Sequence, residues 1–84
     1  MEHKLKTWPE FFKHVWCRDK TFELRYDDRG FKAGDKLILR EWSKNGGYTG
    51  REITATATFL MSGLGLEKDW VAMSLSNLYN GKGG

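Results

Sequence analysis

Arg51-Glu52-Ile53-Thr54-Ala55-Thr56-Ala57-Thr58-Phe59-Leu60 alternates polar and apolar residues along most of its length. Strand side chains point to opposite faces in turn, so Ile53, Ala55, Ala57 and Phe59 share one face and Glu52, Thr54, Thr56 and Thr58 the other. This is the longest such run in the chain, and it predicts a mostly β domain with one packed face. The small alanines predict another element, the helix described below, crossing close above them. Upstream, Ser43-Lys44-Asn45-Gly46-Gly47 has the Asn-Gly chemistry of a hairpin loop. It follows a strand over Lys36–Trp42 with Leu37 and Leu39 on one face and Ile38, Arg40 and Trp42 on the other.

Further toward the N-terminus, Asp27-Asp28-Arg29-Gly30 and Phe31-Lys32-Ala33-Gly34-Asp35 read as turns. Thr21–Tyr26 reads as a strand, and His3–Lys6 as a short one. Between these two strands Trp8, Phe11, Phe12, Val15 and Trp16 form one helical stripe, which predicts a helix from about Trp8 to Cys17. Thr7 and Glu10 have the spacing of a capping box, and Pro9 suits the first turn. Downstream, Ser62–Gly65 is a loop and Trp70–Leu75 the last strand, with Val71, Met73 and Leu75 facing inward.

The whole reads as a mostly β (α+β) fold, a small β-barrel of five or six strands with one N-terminal helix capping an open side. The expected core is Phe11, Phe12, Val15, Phe22, Leu24, Leu37, Leu39, Ile53, Phe59, Val71 and Met73. Residues 1–76 make the domain, and 77–84 a flexible polar tail.

Composition narrows the function classes. A chain of 84 residues has room for one small domain and an open cleft, but little for a deep enclosed pocket. The lone Cys17 excludes an internal disulfide, and with His3 and His14 far apart no metal site or cofactor is expected. No apolar run is long enough to span a membrane or serve as a signal peptide, so the expected setting is the reducing cytoplasm. The net charge of +3 is mild. Its cations crowd the first two thirds of the chain, interleaved with acids, which suits a patch for phosphates rather than tight non-specific DNA binding.

The chemistry concentrates at Lys20-Thr21-Phe22-Glu23-Leu24-Arg25. Alternation places Glu23 and Arg25 on one face of a strand, with Phe22, Leu24 and Tyr26 on the other, and Lys20 reaches the charged face from the strand's end. Two readings stand side by side: a ligand-reading face, and a solvated face with an ordinary ion pair. As a binding surface, Lys20, Arg25, Arg29, Arg40 and Arg51 would meet phosphates. Glu23 would accept hydrogen bonds from a base. Trp42 and Tyr48, either side of the hairpin loop, would stack on an unpaired base or pack on one another.

The same six residues, the Gly34-Asp35 before a strand, and Leu37-Ile38-Leu39-Arg40-Glu41-Trp42 followed by Gly47-Tyr48-Thr49-Gly50-Arg51-Glu52-Ile53 resemble the ASCH domain of the PUA-like superfamily, in a short bacterial and phage form. The resemblance spans about residues 3–75 and implies a PUA-like barrel that binds RNA or a modified nucleoside in a cleft between the helix and the barrel mouth. Cys17 stands where the family pattern has a glycine, which changes the turn at the cleft's entrance. Some relatives hydrolyse acylated cytidine with a Lys and a Thr three residues later. Here Lys20 is kept and Glu23 holds the other position, where a carboxylate pairs with the lysine instead of acting as a hydroxyl nucleophile. The leading expectation is a nucleotide- or RNA-binding module without catalysis, monomeric or weakly dimeric. The alternatives are a small metal-independent hydrolase or ribonuclease, and a prophage module that binds a protein partner.

Overall fold

The computed structural model describes residues 1–82. The chain runs β1 (Glu2–Thr7), α1 (Pro9–Trp16), β2 (Phe22–Tyr26), β3 (Lys36–Ser43), β4 (Gly47–Ser62) and β5 (Trp70–Lys82). One sheet of five strands holds them in the order β1-β3-β4-β5-β2. All pairings are antiparallel except β1 with β3. The sheet curls into a half-barrel. Its two edges, β1 and β2, come together without pairing through their backbones. Side chains span the seam instead: Arg25 Nη2 donates to the Lys6 carbonyl at 2.8 Å, and Arg29 Nη1 to the Lys4 carbonyl at 2.9 Å.

The curl has local causes. The register slips between Arg40 and Trp42 on β3, and twice on β4 against β5, between Thr54 and Thr56 and between Ala57 and Phe59. Extra residues on one strand of a pair bend it and sharpen its twist. On β5, Asn77 takes a left-handed φ of 53° opposite the first β4 slip, a conformation that asparagine tolerates better than most residues.

The inner face is packed by Leu5, Leu37, Leu39, Ile53, Ala55, Ala57, Val71, Met73 and Leu75, with Phe12 and Val15 of α1 and Phe31 from the loop before β3. Helix α1 lies against β3. The backbone of Ala57 is met by the turn before β3: Gly34 N–H donates to its carbonyl at 2.6 Å, and its own N–H donates to the Asp35 carbonyl at 2.9 Å. No helix among the described residues is long and apolar enough to cross a membrane.

Several expectations need correction. Phe11, Phe22, Leu24 and Phe59 are not core residues, being between 45% and 62% exposed. For β2 the reason is its register with β5. Glu23 faces Met73 and Arg25 faces Val71, whereas Phe22 faces Ser74 and Leu24 faces Ala72. Residues directly opposed in an antiparallel pair share a face. The inward alternation of β5 therefore carries Glu23 and Arg25 to the inside and turns the apolar residues of β2 out. Helix α1 is only eight residues long and buries Phe12 and Val15 alone; Trp8 and Phe11 flank that narrow contact. The capping box does not form. Trp8 is the N-cap, without a side-chain cap, because Thr7 ends β1 with its hydroxyl donating to the Leu5 carbonyl and accepting from Arg25. The last strand does not stop at Leu75. Past Asn77 it pairs with the first half of β4, as far as Lys82 opposite Arg51. The remainder of the expected tail, residues 83–84, lies outside the described residues.

Candidate functional site

A cleft of about 720 Å³ opens over the seam between β1 and β2. Leu5, Lys6 and Thr7 of β1 line one side, Phe22 to Tyr26 the other, and Trp8 and Phe11 stand at one end. Lys20, Asp28, Arg29, Phe31 and Trp70 complete it. Four cations thus meet two carboxylates among six aromatic rings. Exposed aromatics grouped in one hollow, with few polar groups among them, are the usual make-up of a ligand site.

Glu23 sits at the centre of its charges. Its side chain is 4% exposed, and both oxygens are engaged: Lys20 Nζ donates to Oε1 at 3.0 Å and Arg25 Nε to Oε2 at 2.7 Å. Lys20 also donates to the Phe22 carbonyl at 2.7 Å and lies 4.6 Å from the Phe22 ring centre. A buried carboxylate is tolerated only when it is paired and hydrogen-bonded. Glu23 has both, so it acts as an organiser that holds two cations at the cleft, with no oxygen left without a partner. The pairing of Lys20 with Glu23 matches the sequence expectation. Arg25 then reaches across to the Lys6 carbonyl and, at 3.2 Å, to Thr7 Oγ1.

Of the residues singled out from sequence, Lys20, Glu23, Arg25 and Arg29 come together here. Arg40, Trp42, Tyr48 and Arg51 do not line the cleft. Arg40 pairs with Glu52 at 3.1 Å and covers the Tyr48 ring at 4.0 Å. Trp42 sits opposite Tyr48 in the β3–β4 hairpin and meets Trp8 edge to face at 5.5 Å, so the aromatic pair packs on the sheet. Arg51 grips buried Glu41 with two hydrogen bonds of 2.9 Å while covering Trp16 at 4.9 Å. Burial pushes the Glu41 carboxyl up, but the hydrogen bonds from Arg51 and Thr49 outweigh it and leave the group below its usual range. Arg51 is raised in turn by that same carboxylate. This pair fastens β3 to β4.

Sequence reasoning missed the aromatic lining. The sequence puts Phe11 and Phe22 in the core, with Trp8 on the same helical stripe and Tyr26 on the same strand face, because apolar alternation marks a face and cannot say which side of an edge strand lies inside. The available signal was the charged alternation of Glu23 and Arg25 beside it, which becomes an inner face once β2 is paired with β5.

A second polar cluster lies where the start of β1 meets the turn before β3. His3 Nε2 and Asp35 Oδ2 are 2.9 Å apart, and Lys32 N–H and the amino group of Met1 also donate to that carboxylate. The His3 hydrogen bond, then the one from Lys32, hold Asp35 at about 2.

A family model described as a domain of unknown function, DUF3850, matches residues 2–75. The chain belongs to this family. The matched segment takes in β1 through the first half of β5, and with them every residue of the DUF3850 cleft. An uncharacterized 12.9 kDa protein in the GpA 3′ region of Escherichia phage P2 is 39% identical over 56 residues. That stretch is 67% of this chain and 50% of the phage protein, so the chain spans about half the length of this relative.

Proposed function

We propose that the domain is an RNA- or nucleotide-binding module of the PUA-like, ASCH type, with the β1–β2 cleft as its ligand site. The observation that carries this reading is the cleft's mixed lining, in which Phe22, Tyr26, Trp8 and Trp70 stand beside Lys6, Lys20, Arg25 and Arg29. Aromatic faces stack on unpaired bases, and cations meet the adjoining phosphate. The six-residue run that suggested the family supplies one wall of it. Glu23 fixes Lys20 and Arg25 in place; Lys6 and Arg29 lie nearer the rim. The hydrolase alternative gains nothing from the geometry, because the carboxylate three residues after Lys20 is itself occupied by two cations.

The test is a fluorescence titration, with Trp8 and Trp70 as reporters, using mononucleotides and short single-stranded RNA at two salt concentrations. Phe22 is half exposed, so Phe22→Ala should leave the fold intact. It should weaken binding about 5- to 150-fold, the equivalent of one lost stacking partner. Lys68→Ala, outside the cleft, should leave affinity unchanged. Equal losses for the two variants would mean a diffuse electrostatic attraction and no site.

A further inference from the structure

At the C-terminal end of α1, on the surface and apart from the cleft's lining, three different donor types converge. His14 Nδ1, Cys17 Sγ and an Asp19 carboxylate oxygen all lie within 4.8 Å of one another, and all three residues are exposed. Asp19 Oδ2 is 3.4 Å from His14 Nδ1 and 3.4 Å from Cys17 Sγ. We infer that His14, Cys17 and Asp19 form a mononuclear site for a borderline-soft divalent cation, Zn²⁺ being the best match, with a fourth position open to water.

The argument is geometric. Zinc holds sulfur at about 2.3 Å and nitrogen or oxygen at about 2.0–2.2 Å, so neighbouring ligand atoms on a tetrahedron stand roughly 3.3–3.6 Å apart. Two edges of the triad already have that length, and the third, from His14 Nδ1 to Cys17 Sγ, is under 4.8 Å. The donor set of one thiolate, one imidazole and one carboxylate leaves an open coordination position and suits zinc better than the oxygen-loving Mg²⁺ or Ca²⁺. The two cations nearest in sequence point elsewhere. Arg18 Nη1 bonds the Val15 and Trp16 carbonyls and Asn80, and Lys20 Nζ is held by Glu23. Arg18 adopts a left-handed φ of 71°, which folds Asp19 back over the end of the helix.

On binding, the Cys17 thiol gives its proton to solvent and the metal takes the place of the hydrogens now shared with Asp19. The sequence pattern His-x-x-Cys-x-Asp holds two of the ligands one helical turn apart and the third on the loop that follows. Lone-cysteine counting missed it because the partners are a histidine and an aspartate rather than further cysteines.

The experiment is titration of the reduced full chain with Co²⁺, followed by displacement with Zn²⁺. A thiolate-to-cobalt charge-transfer band, saturating at one ion per chain and lost on adding Zn²⁺, is the expected result. Cys17→Ser should remove the band, and His14→Ala and Asp19→Asn should each weaken binding by about 10- to 100-fold or more. Melting temperatures of the metal-free variants should stay near that of the parent, since all three side chains are exposed. Binding that survives both His14→Ala and Asp19→Asn would reduce the site to a reactive thiol. One ion per two chains would show thiols bridging between molecules. Either result overturns the assignment.

Discussion

Replacing Arg25 by methionine tests the claim that the charged face of β2 is the inner one. Arg25 donates to Glu23 at 2.7 Å, to the Lys6 carbonyl at 2.8 Å and to Thr7 Oγ1 at 3.2 Å. With Arg29 it bridges the seam between the sheet's edges. Removing one partner of a buried ion pair costs about 3–5 kcal/mol when the other charge is left alone. Here Lys20 still neutralises Glu23, and Arg25 is itself 26% exposed. The expected loss is therefore smaller, about 2–3 kcal/mol, or roughly 8–24 °C in melting temperature for a domain of this size. Urea unfolding followed by tryptophan fluorescence measures it, with a constant m-value confirming that the denatured state is unchanged. The decisive comparison is Glu23→Leu combined with Arg25→Met. Glu23 faces Met73, and Arg25 faces Val71, both buried. Two apolar side chains there replace a buried carboxylate that has lost one of its two partners, and Lys20, 19% exposed, can turn its ammonium to water, so the double variant should recover at least half of the loss. If Glu23 instead faced solvent, the single variant would lose under about 0.5 kcal/mol, as surface pairs do. The double variant, with a new exposed leucine, would then gain nothing. That outcome would refute the inside-out reading of β2.

Asp35 is depressed to about 2, so its contribution to stability is complete above the unfolded carboxylate value of 3.8 and is lost as pH falls toward about 2; Asp35→Asn should flatten that acid limb in a melting-temperature series against pH. Arg51→Ala strands the Glu41 carboxylate, whose side chain is 5% exposed, and should cost about 2–4 kcal/mol near neutrality. Glu41 in that variant is raised above its unfolded value, so stability falls as pH rises through that range, and the deficit should shrink in unfolding curves taken at about pH 4. Phe12→Ala should cost about 3–5 kcal/mol in the same assay. Phe59, at 62% exposed, should lose under about 1 kcal/mol as Ser, although the two phenylalanines look alike in sequence.

The sequence by itself determined the element order, the helix near the N-terminus, the hairpin at Asn45-Gly46 and the inward faces of β3, of β4 as far as Ala57, where the register slips and turns Phe59 out, and of β5 through Val71, Met73 and Leu75. Those features are local. Period-2 alternation, turn chemistry and a helical stripe act over a few residues, and each is legible wherever the strand is flanked on both sides. The pairing of Lys20 with Glu23 was legible too, because the two are neighbours along the chain. Which side of β2 lies inside was decided only by tertiary structure. Phe22, Leu24 and Tyr26 form an apolar face as good as any in the chain, yet they stand at the cleft because β2 is added at the sheet's edge in register with β5. Burying Glu23 in their place is possible only because Lys20 and Arg25 converge on it, and Arg25 in turn finds its other partners 18 and 19 residues away on β1. No pattern within β2 encodes that meeting. It exists because bulges far off in β3, β4 and β5 curl the sheet until its first and last strands face each other.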